Sequence, residues 1–498
     1  MRIGPALQIG TIAVAAFIAS HSPQVKAQTD QWTPPYSMIL TPERALALVE
    51  AAQRHLSYIP GEVVIKFKNG VTVAGAQRAL MALRSRPSVN ALRWTSDVAV
   101  FRDEGQPDST ILADQLRTQP EVAYAEPNYL RRFNVTPNDP GFSANQWNFT
   151  ALDMPHAWDL NAGATAGTTV AVVDSGITTV NQAFVFPTWN GFAVQNILVP
   201  FAINPDLGGS RLTNPRDFVF WNGPVLDMEG HATHVSSTIG EDTNNNQAEA
   251  GIAYNVKIMP VKTCLSYWDV QFVLSASGFR GFVPPDAGGC PEDAIADGIR
   301  YAADNGAKII NLSIGGDTPS ALERAALVYA VSKGAFIAIS GGNEFEDGNP
   351  VDYPAGEAQT IDGAMSVCSV GRSLKRAFYS TTGPQIEICA PGGDVRDGGN
   401  AGMIWQTTLR DSDNDPFSVV FPRFDRYLEE PKEGTSMAAP HVAGIAALIM
   451  SQGVTNPAAI ESLIKKTARD LGKPGRDDEY GFGLIQPRAA LFGFGLGR

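Results

Sequence analysis

The sequence predicts an α/β protein whose mostly parallel sheet carries helices on both faces, preceded by a small α+β unit. Three observations carry this. Six apolar runs, TTVAVVD, VKIMPVK, KIINLSI, AFIAISG, AMSVCSV and QIEICAP, are continuous rather than alternating, as strands covered on both faces are. Two stretches of helical length, PEDAIADGIRYAADNG and PSALERAALVYAVSKG, lie among them. Ahead of both, the chain has a different rhythm, cut off by the polar, Pro- and Asn-rich seam RRFNVTPNDPGF.

The elements follow in order. Arg2 precedes the apolar run ALQIGTIAVAAFIA, and VKA ends at Ala27 with the small residue a signal peptidase requires. An uncleaved anchor is the competing reading, but the run is shorter than the ~20 residues of a spanning helix. Residues 1–27 are therefore expected to be a signal peptide, and the product to be secreted, extracellular or periplasmic, and not bound to a membrane afterwards. Thr41 and Pro42 make an N-cap and first helical position for PERALALVEAAQRHL. EVVIKFK, LRW, VAVFR and VAYAEPNYL read as strands, and AGAQRALMAL and STILADQLR as helices. Their order is β-α-β-β-α-β, a ferredoxin-like split βαβ unit, with its core at about 60–133.

A chain of 498 residues divides into two or three domains, and 44% hydrophobic against 18% charged residues makes it globular. The net charge of −13 argues against nucleic acid or an anionic membrane as partner, since both demand clustered Lys and Arg. Export makes the four cysteines readable as disulfides. Three pairings are open. Cys368 with Cys389, in strand-like runs close in sequence, and Cys264 with Cys290 are the pairing preferred. No C-x-x-C occurs, which weakens a zinc reading.

GTSMAAPHVAG raises a question of chemistry. Pro440 has no N–H for the carbonyl of Ser436, so the helix that runs on as IAALIM must begin at about Ser436. The Ser436 hydroxyl then stands beside unsatisfied N–H groups and the positive end of the helix dipole. Such a hydroxyl is a cap or a nucleophile, and a nucleophile needs a base, an orienting acid and an oxyanion donor. Asp174 ends the strand VAVVD, His231 starts a helix after Gly230, and Asn343 follows two glycines at the end of AFIAISGG. Taken singly these are a turn cap, a structural histidine and a turn residue; together they could supply all three parts. His234 follows one turn on, but without the glutamate of a zincin motif.

In order, VAVVDSGI, GHATHV, NLSIGG, SGGNE and GTSMAAPHVAG resemble the Asp, His, substrate-strand, oxyanion and Ser motifs of the subtilisin-like serine endopeptidases, the subtilases. The resemblance runs from about Gln146 to Leu491, and the unit before the seam resembles the family's propeptide. It implies a nucleophile Ser436, general base His231, orienting Asp174 and oxyanion donor Asn343, acting on protein or peptide substrates. It implies an extended substrate along Ser313, Ile314, Gly315 and Gly316, with Ser340, Gly341 and Gly342 as the other wall of the pocket for the residue before the scissile bond. Main-chain pairing of that kind predicts broad specificity. It also implies a propeptide, residues 28–133, that assists folding and then inhibits through its tail, and a peptidase domain, residues 134–498, acting as a monomer. With an ordinary imidazole, activity should fall as pH drops through about 6 to 7.

The chain departs from the pattern in three places. Ala232 stands where the family has glycine, and its methyl could crowd substrate or tilt the imidazole, which leaves a catalytically silent binding protein as the rival class. A long segment separates Cys264 from Cys290, rich in aromatic residues and expected to border pockets further upstream. An insertion from Val395 to Glu433 contains the acidic DSDNDP, which could bind calcium or be a solvated loop. No metal ligand is named by the sequence, and no cofactor is required for the chemistry.

Overall fold

The computed structural model describes residues 41–54, 56–95, 98–130, 136–220, 223–415 and 422–493, so the expected signal segment lies outside the described residues. Helix α1 (Pro42–Gln53) starts as its sequence requires, with the Arg44 N–H donating to Thr41 Oγ1 at 3.2 Å. The next elements are β1 (Tyr58–Phe67), α2 (Val73–Leu80), β2 (Arg93–Thr95), β3 (Val98–Arg102), α3 (Ser109–Arg117) and β4 (Val122–Tyr129). Their antiparallel sheet has the order β2-β3-β1-β4, and Val63, Ile65, Leu80, Phe101, Leu112 and Leu116 form its core. This is the expected βαββαβ order. Leu130 donates to Ser57 O at 2.8 Å as the chain leaves the unit. Residues 131–135, through which the sequence expects the tail to reach the substrate groove, lie outside the described residues.

The larger unit begins its sheet with β5 (Thr169–Asp174), followed by an antiparallel hairpin, β6 (Gln182–Trp189) and β7 (Val194–Phe201), and a two-residue strand, β8 (Arg216–Asp217). Helix α4 (His231–Gly240) leads to β9 (Lys257–Lys262), and then come α5 (Tyr267–Ala276), α6 (Glu292–Asp304), β10 (Ile309–Leu312) and α7 (Ala321–Ser332). Strands β11 (Phe336–Ser340), β12 (Ala364–Val370) and β13 (Ile388–Pro391) complete the sheet, and a second hairpin, β14 (Ile404–Leu409) and β15 (Tyr427–Lys432), precedes helix α8 (Thr435–Ser451).

The sheet is parallel throughout, in the order β13-β12-β11-β10-β5-β9-β8. The alternation along β5 shows why its run is continuously apolar. Ala171 and Val173 enter one core with Ile299 of α6 and Leu327 of α7, whereas Val170 and Val172 enter the other with Val235 of α4 and Val442 of α8. Helix α8 is apolar on all sides because it is buried on all sides. A Cβ on its Gly444 would lie 2.9 Å from Ile252, so glycine permits that close approach. Strand order reverses between β5 and β10, and a crevice at such a reversal lies beyond the strands' carboxyl ends. Asp174 ends β5 at that place.

The two disulfides are Cys264–Cys290 and Cys368–Cys389, the second joining residues opposite each other on β12 and β13. The segment between Cys264 and Cys290 is more than a loop. Helix α5 starts in a capping box of Ser266 and Asp269, and its Phe272 stacks on Phe186 of the β6–β7 hairpin, ring centroids 4.4 Å apart.

Candidate active site

The first side chain is fixed by the end of a strand. Asp174 is 1% exposed, and its carboxylate accepts the Ser175 N–H at 2.6 Å. Across the crevice, Gly230 at φ +97° turns the chain into α4 and puts His231 at the helix start. Asp227 holds that start in place. Its carboxylate accepts the N–H groups of Glu229 and Gly230 at 3.0 and 2.8 Å and the Ser175 hydroxyl at 3.2 Å. Ser175 Oγ in turn accepts the Ala232 N–H at 3.0 Å, which ties the end of β5 to the beginning of α4. The sequence reading missed Asp227; its signal was an acid placed just before a glycine-initiated helix.

Through this frame, His231 Nδ1 lies 2.9 and 3.0 Å from the two carboxylate oxygens of Asp174. A carboxylate can only accept here, so in the neutral ring Nδ1 carries the proton and Nε2 offers a lone pair. Burial opposes charge on the imidazole, but the Asp174 carboxylate outweighs it and Glu229 adds to the effect, pushing the pKa up to about 9. The other histidines of the helix core behave differently. Burial brings His234 down to about 3 and His441 to about 4, so both stay neutral.

Ser436 is the second residue of α8, and Gly434 precedes the helix at φ +149°. The carbonyl that Pro440 leaves without an intrahelical donor has found another. Ser313 Oγ–H donates to Ser436 O at 2.8 Å, and the Ser436 hydroxyl donates to Ser313 O at 3.2 Å. The substrate-strand segment and the helix start are thus joined by a reciprocal pair, with the Ser436 hydroxyl turned to the carbonyl.

Asn343 is oriented by Thr435, whose N–H and hydroxyl both donate to Asn343 Oδ1 at 2.9 Å. Two donors on Oδ1 fix the amide, and Nδ2 faces elsewhere. A Cβ on Gly434 would sit 3.6 Å from Ser436 N, 3.7 Å from Asn343 Nδ2 and 3.8 Å from Asn343 Oδ1, so the helix start and the Asn343 amide border one spot. A side chain at Gly434 would fill it.

The two expected walls also meet. Ser340 Oγ donates to Ile314 O at 3.4 Å, and Gly342 N donates to Thr435 Oγ1 at 3.2 Å. Gly341 and Gly342 are buried, while Gly315 and Gly316 are open to solvent. Thus Asp174, with His231 on it, stands at the carboxyl end of β5, and the two walls, with Ser436 and Asn343 against them, follow the carboxyl ends of β10 and β11 at the same end of the parallel sheet.

Residues 165–483 match the profile of the Subtilase family, and residues 46–128 that of the fervidolysin N-terminal prodomain. The chain belongs to the subtilase family of serine endopeptidases. It is 29% identical over 425 residues to the thermophilic serine proteinase of Bacillus sp. (strain AK1), covering 85% of this chain and 86% of that protein. It is also 29% identical to the extracellular protease of Xanthomonas campestris, over 88% of this chain and 73% of that one. A solved structure of proteases from Pseudoalteromonas arctica aligns with a TM-score of 0.51 and 27% identity, over 72% of this chain and 99% of that one.

Ala232 is the position at which the sequence reading expects this subtilase to differ from the family's pattern. It is fully buried in the core with Val235 and Ile239. In the DSDNDP run, Asp411 pairs with Lys432 at 3.3 Å and Asp413 with Arg426 at 3.6 Å. Among the described residues no three His, Cys, Asp or Glu side chains form a metal centre.

Proposed function

We propose that this subtilase is a secreted endopeptidase, made as a zymogen that processes itself, and that it cuts peptide bonds with Ser436, His231 and Asp174. The observation that carries the reading is the His231 imidazole held by Asp174 at the carboxyl end of β5, the same end of the sheet at which Ser436 N and Asn343 Nδ2 border one spot. Substrate binding would turn the Ser436 hydroxyl from Ser313 O towards His231 Nε2. The proton passes to Nε2 as Oγ bonds to the peptide carbonyl carbon, and the carbonyl oxygen takes its negative charge into the spot between the two N–H donors. The C–N bond then breaks and the proton on Nε2 goes to the leaving amine. Water, deprotonated by the same imidazole, releases the acid and restores Ser436. Asp174 keeps the ring in one tautomer and stabilises its cation throughout.

Boundaries at 27 and 133 fit this reading, with a prodomain that inhibits until it is removed. The name of the Xanthomonas relative supports an extracellular or periplasmic destination. Hydrolysis of peptide amides by the purified mature protein, lost in Ser436→Ala, tests the assignment; undiminished turnover in that variant refutes it.

A further inference from the structure

The pocket for the residue before the scissile bond has a floor that the sequence motifs do not name. Tyr353 pairs with Gly316 in antiparallel fashion, Gly316 N to Tyr353 O at 2.9 Å and Tyr353 N to Gly316 O at 2.7 Å. This brings the preceding residue, Asp352, under both walls. A Cβ on Gly315 would lie 2.0 Å from Asp352 Oδ1, and one on Gly342 would lie 2.7 Å from Asp352 Cβ. The carboxylate is therefore wedged between the segments that flank the substrate side chain. Glycine at both positions is what lets the acid lie there.

Asp352 is only 6% exposed, and its Oδ1 has no hydrogen-bond partner. Among the described residues no Lys, Arg or His forms an ion pair with it. Burial first, and then the like charges of Glu344 and Glu323, push its pKa up to about 8. A buried carboxylate without donor or counter-charge is costly, and structures retain such groups where a ligand supplies the missing charge.

We propose that Asp352 determines specificity by receiving a cationic side chain, arginine or lysine, immediately before the scissile bond. This rests on the reading of Ser436 as nucleophile and narrows the broad preference that main-chain pairing alone predicts. An apolar side chain would cover the carboxylate and leave it unpaired. An acidic one would meet Asp352 and Glu344 with like charge. A guanidinium or ammonium supplies the missing counter-charge and pairs with the acid.

The test uses mature protein with active sites counted by a fluorophosphonate, and peptide 4-nitroanilides that differ only in the residue before the amide. Arginine or lysine should exceed phenylalanine and leucine in kcat/KM by about a hundredfold, as a desolvated charge pair allows. Asp352→Asn and Asp352→Ser should each lower that ratio by about tenfold or more. Benzamidine, an aryl amidinium, should protect the wild type from fluorophosphonate labelling and protect Asp352→Asn much less. A wild type that prefers phenylalanine or leucine, or a ratio that stays within about twofold in both variants, overturns the proposal while leaving the protease reading intact. Absence of both labelling and cleavage overturns the two together.

Discussion

Replacing Ser313 by alanine should loosen the helix that carries Ser436. The Ser313 hydroxyl donates to Ser436 O at 2.8 Å and accepts from Asn311 Nδ2 at 2.9 Å. Pro440 can offer that carbonyl nothing, and Asn311 is fully buried with its Oδ1 already unpaired. Alanine thus strands one buried acceptor and one buried donor. At about 1–3 kcal/mol for each buried group left unsatisfied, the loss should be about 2–4 kcal/mol once some relaxation is allowed. The Ser313 carbonyl survives the change, so the resting place of the Ser436 hydroxyl is kept, and turnover falls only through displacement of the helix start. We expect kcat to fall about tenfold with a smaller change in KM, a misplacement effect rather than removal of a catalytic group. Stability is read from urea unfolding of protein blocked with a fluorophosphonate, which prevents autolysis, and turnover from a small ester. Ser313→Thr keeps the hydroxyl and should restore most of both. A loss below about 0.5 kcal/mol, with kcat unchanged, would mean that the freed carbonyl is satisfied in another way and would refute the role given to this pair.

Three more outcomes are expected. The imidazole must be neutral to take the Ser436 proton, and Asp174 holds it charged above its ordinary range, towards about 9. The kcat/KM profile of the free enzyme should therefore rise through a midpoint alkaline of 6.5; a midpoint at or below 6.5 contradicts the Asp174–His231 coupling. Ala232→Gly should reduce stability by about 1 kcal/mol, through helix propensity and a lost buried methyl, and leave turnover nearly unchanged; a tenfold loss of turnover would show the site to be built around that methyl. Ser436→Ala, expressed in a host without other secreted proteases, should accumulate as the form lacking only its signal, while wild type yields a chain beginning near Asn134. Full processing of the variant would assign the cut to another enzyme.

The sheet was legible because burial on two faces leaves a mark in composition, six continuous apolar runs, and only β8 escaped, two residues long at an edge. The hairpin β6–β7 was missed although Asn190-Gly191 marks its turn, because its strands mix apolar and polar residues without strict alternation. Helix α5 lay in what read as a loop; its first turn carries a capping box, but its apolar residues do not keep to one face. At the site, Asp174, His231, Ser436 and Asn343 were legible only together: each singly reads as a cap, turn or core residue, and the order of the motifs around them, resembling that of the subtilases, implied their roles. Ser313 Oγ and Asp352 act through tertiary contact with segments distant along the chain, and nothing local distinguishes such a residue from a turn or loop residue.

The central claim is that Ser436 is a nucleophile activated by His231. It is tested most directly by treating the mature protein with a fluorophosphonate at alkaline pH and mapping the adduct. The account predicts one label per molecule, on the Ser436 hydroxyl, abolished in His231→Ala and slowed as pH falls below the pKa of the imidazole. Folded, processed protein that takes no label, or takes it at another serine, would contradict it.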